Sequence, residues 1–214
     1  VHGAYNETGT TCTDNYDENC IITIISNLDL HTLGTYTITY TFTDVAGNEK
    51  VLTRTIHIVD TTAPVASLTG SIDQTYEVHD DYIEFGYVCS DNYDSECTID
   101  ITTDLDMSSL GTYTITYTFS DVSGNETILT RSIHIEDTTA PVASLNGYGN
   151  LIIEVHGDYL EAGTTCTDNY DDNCIIDIVS NLDLHVLDTY TITYTFTDLQ
   201  GNETQLIRTI EIVD

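Results

Sequence analysis

The chain has 214 residues, of which 36 are acidic and 4 basic, for a formal net charge of −32 at pH 7. A surface this negative repels phosphate backbones and anionic lipid, which excludes nucleic-acid and membrane-surface partners, and its self-repulsion favours bound cations. No apolar run reaches the length that a membrane-spanning helix needs, so no membrane insertion is expected.

The chain is a repeat. Cys12-Thr13-Asp14-Asn15-Tyr16-Asp17-Glu18-Asn19-Cys20 recurs as Cys89–Cys97 and as Cys166–Cys174, and positions 12, 89 and 166 stand 77 apart. The same offset relates Gly47-Asn48-Glu49, Gly124-Asn125-Glu126 and Gly201-Asn202-Glu203, and also Asp60, Asp137 and Asp214. A period without insertion or deletion defines a tandem array of one small domain. The expected domains are residues 1–60, 61–137 and 138–214. Residues 61–77 and 138–154 have no counterpart in repeat 1, which is expected to lack its first strand. Either the sequence is a crop of a longer array or a neighbouring chain donates that strand. With no initiator Met or signal peptide, it reads as a fragment of a longer secreted polypeptide.

The six cysteines fall as one pair per repeat, which favours disulfides and an oxidising compartment. No histidine follows a cysteine at zinc-site spacing. The pairs lie too close in sequence to join two sheets, so they should staple a loop or the mouths of neighbouring strands, with a chain-entropy gain of about 2–3 kcal/mol.

Repeat 2 gives the predicted elements in order. Ala63-Pro64 marks a linker. Val65–Leu68 and Thr75–His79 form a split first strand around the turn-like Thr69-Gly70-Ser71. Phe85–Cys89 and Cys97–Thr102 are the second and third strands, with the stapled loop between them. Asp104–Leu110 is polar and irregular. Thr112–Phe119 alternates strictly, with Tyr113, Ile115, Tyr117 and Phe119 on one face and threonines on the other, which predicts a half-buried strand. A turn at Asp121–Asn125 leads into a last strand, Ile128–Ile135. About seven short strands and no amphipathic helix predict an all-β fold, tandem immunoglobulin-like β-sandwich repeats.

Asp-Thr-Thr-Ala-Pro-Val at domain entry (Asp60–Val65, Asp137–Val142), Asp-Asn-Tyr-Asp, Gly-Thr-Tyr-Thr-Ile-Thr-Tyr and Asp-x-x-Gly-Asn together resemble bacterial immunoglobulin-like repeats. The nearest kinds are the Ig-like domain of pesticidal crystal proteins and hyalin-type repeats. The resemblance covers essentially the whole chain. It implies tandem modules of the kind stacked in bacterial adhesins, where calcium often rigidifies the junctions. The cysteine staple departs from that pattern, as does Asp188 where the other repeats carry Gly34 and Gly111.

In a sandwich of this topology the incoming linker, the stapled loop and the hairpin turn share one pole. Asp60, Asp91, Asn92, Asp94 and Asp121 should therefore converge in repeat 2, and Asp137, Asp168, Asn169, Asp171 and Asp198 in repeat 3. Repeat 1 offers Asp14, Asn15, Asp17 and Asp44 without an incoming linker. Such hard oxygen donors suit calcium, while each residue taken singly also suits a turn.

His2, His57, His79, His134 and His156 read as ordinary strand residues, and Arg54, Arg131 and Arg208 as partners of structural ion pairs. Asn6-Glu7-Thr8, Asn125-Glu126-Thr127 and Asn202-Glu203-Thr204 match the N-glycosylation acceptor. There is no Ser-His-Asp order, no glycine-rich phosphate loop and no cleft-forming carboxylate pair, so no enzyme is expected. The expected function is an extracellular or cell-surface stalk, adhesin or fibre. Calcium and loop disulfides would stiffen it, its partners would be adjacent repeats or further copies, and strand donation would permit polymerisation. The alternatives are a carbohydrate- or receptor-binding module and the spacer of a secreted enzyme.

Overall fold

The computed structural model describes residue 1, residues 3–16 and residues 20–214. Asp17, one of the expected ligands, lies outside the described residues, as does His2. The fold is all-β, and no helix is present among the described residues.

Repeat 1 contributes β1 (Ile21–Ser26), β2 (Gly34–Thr43) and β3 (Glu49–Ile58), hydrogen-bonded in the order β1-β2-β3. Repeat 2 contributes β4 (Val65–Leu68), β5 (Asp73–Glu77), β6 (Tyr87–Ser90), β7 (Thr98–Thr103), β8 (Gly111–Ser120) and β9 (Glu126–Glu136). Repeat 3 matches it with β10 (Val142–Leu145), β11 (Asn150–Glu154), β12 (Thr164–Thr167), β13 (Ile175–Ser180), β14 (Thr189–Thr197) and β15 (Glu203–Val213). Each of these two repeats has six strands, and the segment before β8 or β14 is irregular, as expected for Asp104–Leu110. β14 starts one residue later than β2 and β8 relative to the repeat, where Asp188 replaces glycine.

The split first strand serves two sheets. β4 pairs antiparallel with β6, whereas β5 pairs parallel with β9 in the sheet β5-β9-β8-β7. β10-β12 and β11-β15-β14-β13 repeat the plan. The crossing between the halves needs glycine. Gly70 has φ 74°, and a Cβ there would meet Phe85 Cγ at 2.8 Å.

The alternating strand supplies the core. In repeat 3, Tyr190, Ile192, Tyr194 and Phe196 pack with Ile210 and Ile212. Ala143 and Leu145 of β10 and Cys166 of β12 cover that cluster from the small sheet. The threonines of β8 and β14 lie on the opposite, more exposed face, as the period-two pattern requires.

Among the described residues of repeat 1, no small sheet and no second neighbour of β3 are present. Residues 10–13, aligned with β6 and β12, form no strand, because a strand persists only when its backbone groups are paired. Ile56 and Ile58 of β3 are half-buried, whereas their equivalents Ile133, Ile135, Ile210 and Ile212 are at most 3% exposed.

The three arginines anchor a repeated polar network in the core. Glu161 accepts from the Tyr159 and Tyr194 hydroxyls and pairs with Arg208 at 3.1 Å. Glu7 does the same with Tyr5, Tyr40 and Arg54, and Glu84 takes Tyr82 and Arg131. The histidine expectation needs correction. His79 and His156 are not strand residues but occupy turns after β5 and β11 with φ 69° and 65°.

The chain packs as two compact units. One comprises Val1–Gly70, Phe85–Thr102 and Thr116–Thr130; the other comprises Ser71–Glu84, Thr103–Ile115 and Arg131–Asp214. The first contains the entry pole of repeat 2 and the second that of repeat 3, so each candidate site below is internal to one unit.

Candidate metal centre

Three disulfides close the acidic loops: Cys12–Cys20, Cys89–Cys97 and Cys166–Cys174. The last two do more than staple a loop. Cys89 lies in β6 of the small sheet and Cys97 directly precedes β7 of the large one; Cys166 and Cys174 stand likewise at β12 and β13. The expectation that the pairs cannot join two sheets is therefore corrected. At the mouth of the sandwich the sheet ends approach closely, with Cα atoms 6.3 Å apart, and a short loop suffices.

At the entry of repeat 2 the hairpin turn folds around Asp121. Its Oδ1 accepts the Asn125 N–H at 2.8 Å and its Oδ2 the Asn125 side-chain amide at 2.7 Å. The same amide donates to the Asp60 carbonyl at 3.3 Å, and the Thr127 hydroxyl donates to the Pro64 carbonyl at 2.6 Å. The hairpin thus grips the linker directly. In the stapled loop, Asp91 Oδ2 accepts from the Tyr93 and Asp94 N–H groups at 2.8 and 3.2 Å. Those hydrogen bonds, that from Tyr93 foremost, hold the Asp91 carboxyl below its usual range against the opposing effect of burial. Asp94 Oδ2 accepts the Val122 N–H at 2.9 Å, tying loop to hairpin.

As a result one carboxylate oxygen from each of Asp60, Asp91, Asp94 and Asp121 lies within 4.8 Å of the others. Asp60 and Asp121 are 7% and 5% exposed. Asp60 Oδ2 and Asp91 Oδ1 are buried there without a hydrogen-bond partner. Leaving a buried polar atom unpaired costs about 1–3 kcal/mol, more when it is charged.

Asp137, Asp168 and Asp198 converge in the same way at the entry of repeat 3. Asp168 Oδ1 is again buried and unpartnered, while its Oδ2 accepts from Tyr170 and Asp171 N–H groups. Burial pushes the Asp137 carboxyl up; the Thr139 N–H opposes this, and Asp168, Glu77 and Asp198 reinforce it. Asp198 is held low despite burial by hydrogen bonds from Asn202. Asn202 repeats the linker grip, donating to the Asp137 carbonyl at 3.0 Å and to Asp198 Oδ2 at 2.7 Å.

Other expected residues are placed differently. Asp171 stands outside the three-carboxylate group, and its Oδ2 accepts the Leu199 N–H at 2.7 Å. Asn92 is exposed. The Asn169 amide turns to Glu77 Oε1 at 2.9 Å. In repeat 1, Asp44 is half-buried and holds Asn48 as Asp121 holds Asn125, and the Asp14 charge acts on it. Asp14 and Asn15 are exposed, and neither convergent group among the described residues includes Asp14 or Asp44.

Sequence reasoning missed Glu77. From the end of β5 it accepts the N–H and hydroxyl of Thr138, at 2.9 and 2.7 Å, and the Asn169 amide of the repeat 3 loop. Its recurrence as Glu154 beside the first-strand motif was the available signal. It also missed the second role of Asn125 and Asn202, whose amides are committed to the linker; a glycan there would displace that bond.

A tandem immunoglobulin-like array with acidic junctions is thereby defined. The chain belongs to the family of the bacterial surface protein Ig-like domain, whose sequence model matches residues 2–58, 66–135 and 143–212. It is 28% identical over 213 residues to an uncharacterized 81.3 kDa protein of Acholeplasma phage L2, covering 92% of this chain and 28% of that protein. It is 36% identical over 146 residues to hyalin of Lytechinus variegatus, covering 64% of this chain and 26% of hyalin. Among solved structures it is similar to protocadherin gammaB7 EC3-6, with 14% identity, 91% of this chain and 66% of that chain covered, and a TM-score of 0.35.

Proposed function

We propose that the chain is a non-catalytic segment of an extracellular stalk, adhesin or fibre, in which calcium stiffens the junctions between repeats. The supporting observation is the Asp60–Asp91–Asp94–Asp121 cluster with its two buried, unpartnered oxygens. Carboxylates packed so closely repel one another, and calcium, which takes six to eight oxygens at about 2.3–2.6 Å, removes both the repulsion and the unpaired oxygens. Asp60, Asp91, Asp94 and Asp121 would hold one ion, with backbone carbonyls completing the shell. Asp137, Asp168 and Asp198 would hold another. The three disulfides and the surface-protein family support an extracellular or cell-surface location.

The finer proposal is assembly through β3. Ile56 and Ile58 of β3, with Tyr5 and Leu30 beside it, line an open groove where β9 and β15 carry a parallel partner strand. A strand with the sequence of 150–154 fits that register.

Calorimetric titration with calcium tests the metal proposal. Calcium is expected to bind the parent chain, and Asp121→Asn with Asp60→Asn to abolish the tighter site and leave the other. Unchanged calcium heats in the double variant would overturn it.

A further inference from the structure

The turn that follows β11 carries donors of another kind. His156 Nδ1 and His185 Nδ1 face one another 2.7 Å apart, with ring centroids separated by 4.9 Å. The two rings come from distant segments: the turn after β11 and the loop between β13 and β14. Their backbones are fixed independently. The His156 N–H donates to the Leu184 carbonyl at 2.8 Å, and the His185 N–H to Asp183 Oδ1 at 2.9 Å. His156 holds φ 65°, a left-handed conformation that is unfavourable for a residue with a Cβ. The two rings are thus brought together from both sides by main-chain bonds.

At 2.7 Å the nitrogens share one proton, and a metal ion can replace it. A zinc ion bonds imidazole nitrogen at about 2.0–2.1 Å, so tetrahedral geometry sets the two nitrogens about 3.3 Å apart. Ring rotation of two exposed side chains supplies that opening of less than about 1 Å. Asp183 holds the His185 backbone through its N–H and is not grouped with the two rings, so the two imidazoles are the protein donors and water completes the shell. Imidazole selects zinc, copper and nickel, whereas the junction carboxylates select hard ions such as calcium.

The other repeats put the pair in context. The positions of His156 and His185 correspond to His79 and Ser108 in repeat 2, and to His2 and His31 in repeat 1. His79, without a second imidazole, turns its ring to Tyr170 in the stapled loop of repeat 3, at 6.2 Å between centroids. In repeat 2, therefore, this turn faces the neighbouring module.

We propose that His156 and His185 form a site for a borderline divalent transition metal, chemically distinct from the carboxylate junctions. It stands independently of whether those junctions take calcium. The test is calorimetric titration of the untagged chain with zinc chloride, calcium in excess, in a His31→Ser background that removes the corresponding imidazole of repeat 1. One zinc ion per chain is expected, with perturbation of both imidazole signals in nitrogen–proton correlation spectra. His185→Ser, which installs the residue type that repeat 2 carries, and His156→Asn, which tolerates the left-handed backbone, should each weaken zinc at least tenfold, with far-ultraviolet circular dichroism unchanged. No zinc binding by the parent, or binding by both variants as tight as the parent's, would overturn the proposal.

Discussion

Asn125 and Asp60 are joined across the entry to repeat 2: the Asn125 amide donates to the Asp60 carbonyl at 3.3 Å while also holding Asp121 at 2.7 Å. Asn202 and Asp137 repeat the relationship at 3.0 Å, with Asp198 at 2.7 Å. One side chain thereby ties a hairpin to an interdomain linker and presents an aspartate to the same pole.

Asn202→Ala is expected to destabilise the second unit by about 1–3 kcal/mol, since a carbonyl and a carboxylate oxygen lose their donor in a half-buried place. Chemical denaturation at neutral pH measures this. Asn202→Asp should be worse, because it adds a carboxylate beside Asp137, Asp168 and Asp198. A cost below that of an ordinary surface substitution would dismiss the grip.

The arginine network differs among repeats in burial and in partners: Arg208 also donates to the Asn146 and Tyr148 carbonyls, whereas Arg54 donates to the Tyr5 hydroxyl. Arg208 is 1% exposed, whereas the Arg54 side chain is 39% exposed. Glu161→Ala leaves a buried guanidinium without its anion and should cost about 3–5 kcal/mol. Glu7→Ala breaks a solvent-screened pair and should cost much less. Denaturant midpoints of the two variants should therefore separate clearly, in that order.

Glu77 gives a pH signature. Burial raises its pKa, but hydrogen bonds from Thr138, Thr139 and Asn169 prevail and bring it from 4.5 to about 2. A carboxyl depressed in the folded state contributes stability that is present above the unfolded value and is lost as pH falls through the folded one. The Thr138 and Asn169 contacts should thus hold at pH 5 and loosen as pH falls from about 4.5 towards 2. Carbon-detected titration of the Glu77 carboxyl should report its low value. Glu77→Gln should flatten amide exchange of Thr138 across that window.

Replacing Cys166 and Cys174 with serine should cost about 2–3 kcal/mol from loop entropy, since the bridge closes a short loop. Because the bridge also ties β12 to β13, hydrogen exchange in β10 and β12 should accelerate more than in β14.

Much of this was legible in the chain. The period of repeats exposed the shared poles, and alternation of Tyr, Ile and Phe with Thr fixed the faces of β2, β8 and β14. The six strands named for repeat 2 stand as β4–β9, and Asp104–Leu110, which has no apolar alternation, forms no strand. Asn125 and Glu77 were not legible as junction residues. Their partners are linker carbonyls and a loop amide far along the sequence, and Asp-x-x-Gly-Asn reads equally well as a self-contained turn. The cysteine bridge was misread for a related reason: sequence separation says nothing of how closely two sheets converge at their mouths. His79 and His156 looked like strand residues because the left-handed turn leaves no mark on the apolar pattern.

Hydrogen exchange of the linker amides of Thr61 and Thr62, with calcium and with a chelator, tests the central claim most directly. Calcium is expected to slow their exchange at least tenfold in the parent chain and to have no effect in Asp121→Asn. Equal rates in calcium and in chelator, with the rest of repeat 2 folded, would contradict a metal-stiffened junction.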